Sequence, residues 1–78
     1  MVDHMAACEL LTDALYALEE PWCGRFLALV AEMATSGGWN GNRPRRDDIV
    51  GWLSTDRALF RQTERLLNAW RNPSVVAF

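Results

Sequence analysis

The chain has 78 residues, half of them hydrophobic, with four tryptophans and a formal net charge of −2. One small domain is expected at this length, the hydrophobic share excludes intrinsic disorder, and the near-neutral balance gives no general attraction to nucleic acid. No apolar stretch reaches bilayer length, Asp3 stands where a secretory signal carries basic residues, and Cys8 and Cys23 alone make no disulfide scaffold, so a soluble, cytoplasmic bacterial protein is expected.

Apolar spacing predicts four helices. The first runs from Asp3, a helix N-cap by type, to Glu20. Met5, Cys8, Leu11, Leu15 and Leu18 make its stripe, widened by Leu10, Ala14 and Ala17. Glu9, Thr12, Asp13, Tyr16 and Glu20 fall off that stripe. Pro21 closes this helix or opens the next. The second helix spans Pro21 to Thr35 and buries Trp22, Phe26, Leu29, Val30 and Met33. Its apolar arc also takes in Leu27 and Ala31 and is broad enough to make it the central helix.

Residues 36–44 hold three glycines, two asparagines and a proline, the composition of a loop, with Trp39 in the middle. A tryptophan there either folds back as a lid on the core or stands out as a binding anchor. The third helix is short, Pro44 to Leu53, with Asn42 as N-cap, Asp47 and Asp48 favourable to the helix dipole, and Ile49, Val50, Trp52 and Leu53 as its apolar face. Ser54-Thr55-Asp56 starts the fourth helix, Thr55 to Arg71, with Leu59, Phe60, Thr63, Leu66, Leu67 and Trp70 along one face. Asn72-Pro73 stops it, and an apolar tail ends in Phe78. The fold class is all-α, a small bundle of three to four helices in antiparallel hairpins.

Charge is divided along the chain. Residues 1–36 carry six acids and one base, whereas residues 37–78 carry seven arginines and four acids. The halves can attract one another within a monomer or across a homodimer. Every base is arginine, whose planar fork suits carboxylates and phosphates. Arg57, Arg61 and Arg65 recur every four residues and form a basic ridge. Arg43, Arg45 and Arg46 form a second cluster. Like charges at this spacing repel slightly, so acids of the first helix, an acidic partner or phosphate should offset them, unless the ridge is a solvated face with Asp56 and Glu64 as local partners.

Signals for chemistry are sparse. His4, Cys8 and Cys23 lack the paired spacing of a zinc site, and His4 and Cys8 read as a terminal histidine and a core cysteine. Glu19-Glu20 and Asp47-Asp48 are adjacent on helices and point apart, unlike a catalytic carboxylate pair. No nucleophile, phosphate-loop or dinucleotide motif is present, and Gly37, Gly38 and Gly41 follow no strand. Neither catalytic residue, cofactor nor metal is assigned, and the chain is not read as an enzyme. A helix-turn-helix reading of the last two helices meets Asp56 where base contacts belong, so nucleic acid is not the expected partner.

Three segments carry a resemblance. They are Phe26-Leu-Ala-Leu-Val-Ala-Glu32, then Asn42-Arg43 with Arg46-Asp47, then Trp52-Leu53. In order and spacing they resemble the small helical anti-quorum-sensing proteins of temperate Pseudomonas phages. That resemblance implies an all-helical inhibitor which binds a LuxR-type transcription regulator or a pilus-assembly ATPase of its host. The arginine-rich last helix with Trp70 departs from the family pattern. Residues from Trp52-Leu53-x-x-Asp56 to Leu66-x-x-x-Trp70 are also similar to the end of the anti-sigma domain of FecR-type regulators. The expected function is therefore a small regulatory or inhibitory protein of phage or mobile-element origin that sequesters a host protein such as a transcription regulator. The alternatives are an anti-sigma-like interaction domain and a DNA-binding helical regulator. The residues expected to touch the partner are Trp39, Arg43, Arg46, Arg57, Arg61, Arg65, Trp70 and Phe78.

Overall fold

A computed structural model describes residues 3–72. Four helices follow in order: α1 His4–Tyr16, α2 Trp22–Thr35, α3 Arg46–Thr55 and α4 Arg57–Arg71. No strand occurs among the described residues, so the protein is all-α. No helix among them is long and apolar enough to cross a membrane.

The first helix stops four residues earlier than the spacing predicts. Its last turn tightens, with the Leu18 amide bonded to the Leu15 carbonyl at 3.2 Å, and Leu18 reaches the core from the turn rather than from the helix. The stripe is also rotated. Cys8, Thr12 and Leu15 are sealed, whereas Met5, Leu10 and Ala17 are exposed. Thr12 can sit inside because its hydroxyl donates to the Cys8 carbonyl at 2.7 Å, which removes the cost of burying a free hydroxyl.

The buried face of α2 is Cys23, Leu27, Val30 and Ala31. Of the five residues predicted there, only Val30 is fully inside. Phe26 and Met33 are half-buried, and Trp22 and Leu29 are exposed. So α2 is not enclosed on all sides, as a central helix would be. It ends where Ser36 and Gly37 turn into the left-handed region (φ 54° and 82°), and the Gly37 amide bonds back to the Glu32 carbonyl at 2.9 Å. A glycine accommodates that conformation without steric cost.

The start of α3 lies beyond Asn42. Arg45 is the N-cap position, and the Asp48 carboxylate accepts the Arg45 amide at 3.2 Å. Pro44 is buried before it, and its carbonyl accepts the Tyr16 hydroxyl at 2.7 Å, which ties the end of α1 to the entry of α3. Ser54 and Thr55 finish α3 instead of opening α4; both hydroxyls donate to the Gly51 carbonyl. Asp56 alone separates the two helices. Its amide bonds to the Trp52 carbonyl of α3, and its carboxylate accepts the Ala58 and Leu59 amides of α4 at 3.0 and 3.2 Å.

The core joins Cys8 and Leu15 of α1, Cys23, Leu27 and Val30 of α2, Ile49 and Leu53 of α3, and Leu59 and Leu67 of α4. The most extensive packing is between α1 and α3. Thr63 is wholly buried on α4, and its hydroxyl finds no partner among the described residues.

Candidate interaction surfaces

The residues singled out in the sequence fall into three places. Trp39, Arg43 and Arg46 lie at the α2–α3 loop and the start of α3. Arg57, Arg61 and Arg65 lie on the outer side of α4. Trp70 lies at the end of α4, against α2. Phe78 is outside the described residues.

At the loop, the lid reading of Trp39 fits better than the free anchor. The ring is half-buried, meets Trp52 edge to face with centroids 5.1 Å apart, and its indole N–H donates to the Asn42 carbonyl. Arg43 donates to the Glu20 carboxylate and to the Cys23 sulfur. Arg46 Nε donates to Asp13 Oδ1 at 2.9 Å. Attraction between the acidic and basic halves thus takes form inside one chain, as two ties from the α3 entry to α1 and to the turn that follows it. The hydrogen bond from Arg46 holds the Asp13 carboxyl below the usual range, and that from Arg43 does the same for Glu20. Both ion pairs are about half exposed, so water screens them. Beside them a cavity of about 220 Å³ is lined by Trp39, Arg43, Glu32 and the glycines Gly24, Gly37 and Gly41.

On α4 the buried positions Leu59, Thr63 and Leu67 define the inner face. Helical geometry at 100° per residue then carries Arg57, Arg61 and Arg65 to the opposite side. All three are exposed, and none forms an ion pair among the described residues. Asp56 and Glu64, the local acids, do not neutralise them; the Asp56 carboxylate serves the helix end instead.

Between α2 and α4 the structure gathers an apolar patch from residues that helical spacing alone assigns to the core. The Trp22 and Trp70 rings are 4.5 Å apart with a 44° tilt, and Phe26 meets Trp70 at 6.1 Å. Leu29 and Leu66 flank them, and the Arg25 guanidinium sits 5.0 Å over the Trp22 ring. Trp22, Leu29, Leu66 and Trp70 keep 37–41% of their surface exposed. The signal for this was available: α2 carries two apolar stripes, Cys23-Leu27-Val30 and Trp22-Phe26-Leu29-Met33, and one helix side in a four-helix bundle cannot bury both.

Among the described residues polar groups do not converge elsewhere. His4 Nε2 is 3.7 Å from Cys8 Sγ, but that sulfur is wholly enclosed and burial pushes its thiol above the ordinary value, away from the thiolate a nucleophile needs. Burial likewise raises the Tyr16 phenol, which donates to Pro44 as a neutral group. Among the described residues no three metal-binding side chains cluster. Comparison with protein-family models, with curated proteins and with solved structures finds no match to the chain.

Proposed function

We propose that this protein acts by binding another protein, an acidic one, through the outer side of α4, as a small regulatory or inhibitory module. The observation that carries the reading is the ridge of Arg57, Arg61 and Arg65, exposed and without ion pairs among the described residues. Three like charges in a row on one helix raise its energy until something negative meets them. Leu66 and Trp70 lie on the side of α4 turned towards α2, away from the ridge, so charge rather than apolar area carries this contact. Arg43 and Arg46 act differently from the expected partner contacts, since their charges are spent within the chain.

The partner class comes from the resemblance to phage anti-quorum-sensing proteins: a bacterial transcription regulator, held out of action by occupation of its surface. A tagged protein presented with candidate regulators, beside an Arg57→Ala/Arg61→Ala/Arg65→Ala variant, tests the reading. The wild type should retain a regulator in a salt-sensitive way and the variant should lose it. Equal retention by both would overturn the role of the ridge, and retention of none by the wild type would count against the partner class. Phosphate is the other anion an arginine ridge suits, and a salt-dependent shift of duplex DNA that vanishes in the triple variant would replace the protein reading with the DNA one.

A further inference from the structure

A different face carries a second inference. On α2 the exposed residues Trp22, Arg25, Ala28, Leu29 and Glu32 recur at helical spacing and form one outward side. The middle of that side is apolar, Ala28 and Leu29. Arg25 lies three residues before Ala28, and Glu32 lies three residues after Leu29, so opposite charges stand at equal distances from the midpoint.

We propose that this side of α2 packs against the same side of a second copy of the chain, antiparallel, about a twofold axis passing between Ala28 and Leu29. A closed twofold contact must be self-complementary, and the pattern meets that condition on charge and on shape. In the antiparallel alignment Arg25 faces Glu32 of the second copy, and the exchange repeats on the other side of the axis. Leu29 faces the small Ala28, which lets the helices approach to about 8–10 Å. A parallel alignment would set Arg25 on Arg25 and Glu32 on Glu32, so the charges select the direction. Neither residue is spent in an ion pair among the described residues. The Trp22 ring holds the Arg25 guanidinium on this side of the helix, and Trp22 with Leu29 supplies apolar surface for the contact to cover.

Sedimentation velocity over low- to high-micromolar concentrations tests this directly. The wild type, 8.9 kDa as a monomer, should move towards twice that mass as concentration rises. Arg25→Glu alone and Glu32→Arg alone each place like charges at both ends of the contact and should weaken association by about tenfold or more. The double variant Arg25→Glu/Glu32→Arg restores opposite signs and should recover it. An equimolar mixture of the two single variants should also associate, because each supplies what the other lacks. Circular dichroism confirms that every variant keeps its helices, as substitutions on an exposed side should. A wild type that stays monomeric throughout overturns the proposal. So does a dimer indifferent to the single substitutions, or a double variant and a mixture that both fail to recover.

Discussion

The α1–α3 contact and the α2–α4 contact are built from similar residues and end in opposite states. Where α1 meets α3, Leu15, Ile49 and Leu53 have no exposed surface at all. Where α2 meets α4, Trp22, Leu29, Leu66 and Trp70 each keep more than a third of theirs. The first contact has already released its hydration free energy in folding. The second retains part of it for association, at roughly 25 cal/mol for each Å² still to be covered. Hydrophobicity in a short chain therefore has two uses, and only the geometry distinguishes them.

Substitutions on the two contacts should separate accordingly. Leu53→Ala opens a cavity in the sealed one, and denaturant unfolding should register a loss of roughly 2–5 kcal/mol. A loss under about 1 kcal/mol would mean that the α1–α3 contact is looser than its burial indicates. Thr63→Val removes a buried hydroxyl that has no partner and keeps its volume; stability should rise by about 1 kcal/mol. Tyr16→Phe deletes the tie to the Pro44 carbonyl and should cost about 1 kcal/mol, visible as a lower midpoint with an unchanged slope. Leu29→Gln, on the open contact, should change stability by no more than about 0.5 kcal/mol when measured at low-micromolar concentration. A loss as large as that of Leu53→Ala would erase the distinction between the contacts.

The smallest effect belongs to pH. Asp13 and Glu20 have folded-state pKa values below their unfolded ones, held there by Arg46 and Arg43. Their contribution is complete above the ordinary carboxylate range and is lost as pH falls through the depressed values. Tm should therefore decline on the acid side, and Arg46→Ala should remove the share of that decline due to Asp13. A Tm profile unchanged by Arg46→Ala would show that the exposed pair is fully screened.

Most of the fold was legible from spacing and punctuation. Four helices, the glycine loop and the stop at Asn72 follow from apolar periodicity and residue type, as do Ile49 and Leu53 inside α3 and Leu59, Thr63 and Leu67 inside α4, whereas Leu66 and Trp70 of the predicted α4 face are exposed. The errors share a cause. Thr12 reads as polar until its hydroxyl is seen to bond to a carbonyl one turn back. Trp22 and Leu29 read as core because hydropathy counts apolar residues without knowing how much interior four short helices enclose. Arg43 and Arg46 read as free because their acids, Glu20 and Asp13, are 23 and 33 residues away along the chain. The α4 ridge was legible because its positions are fixed by one helix alone, whereas the Trp22–Trp70 patch needed two helices to be placed together.

Asp56 has a mechanical meaning. With a single residue between α3 and α4, and that residue hydrogen-bonded to both, no slack exists to absorb a displacement of either helix. The joint and the loop thus meet at one residue: Trp52 accepts the Asp56 amide through its carbonyl, and its ring carries that of Trp39 edge to face.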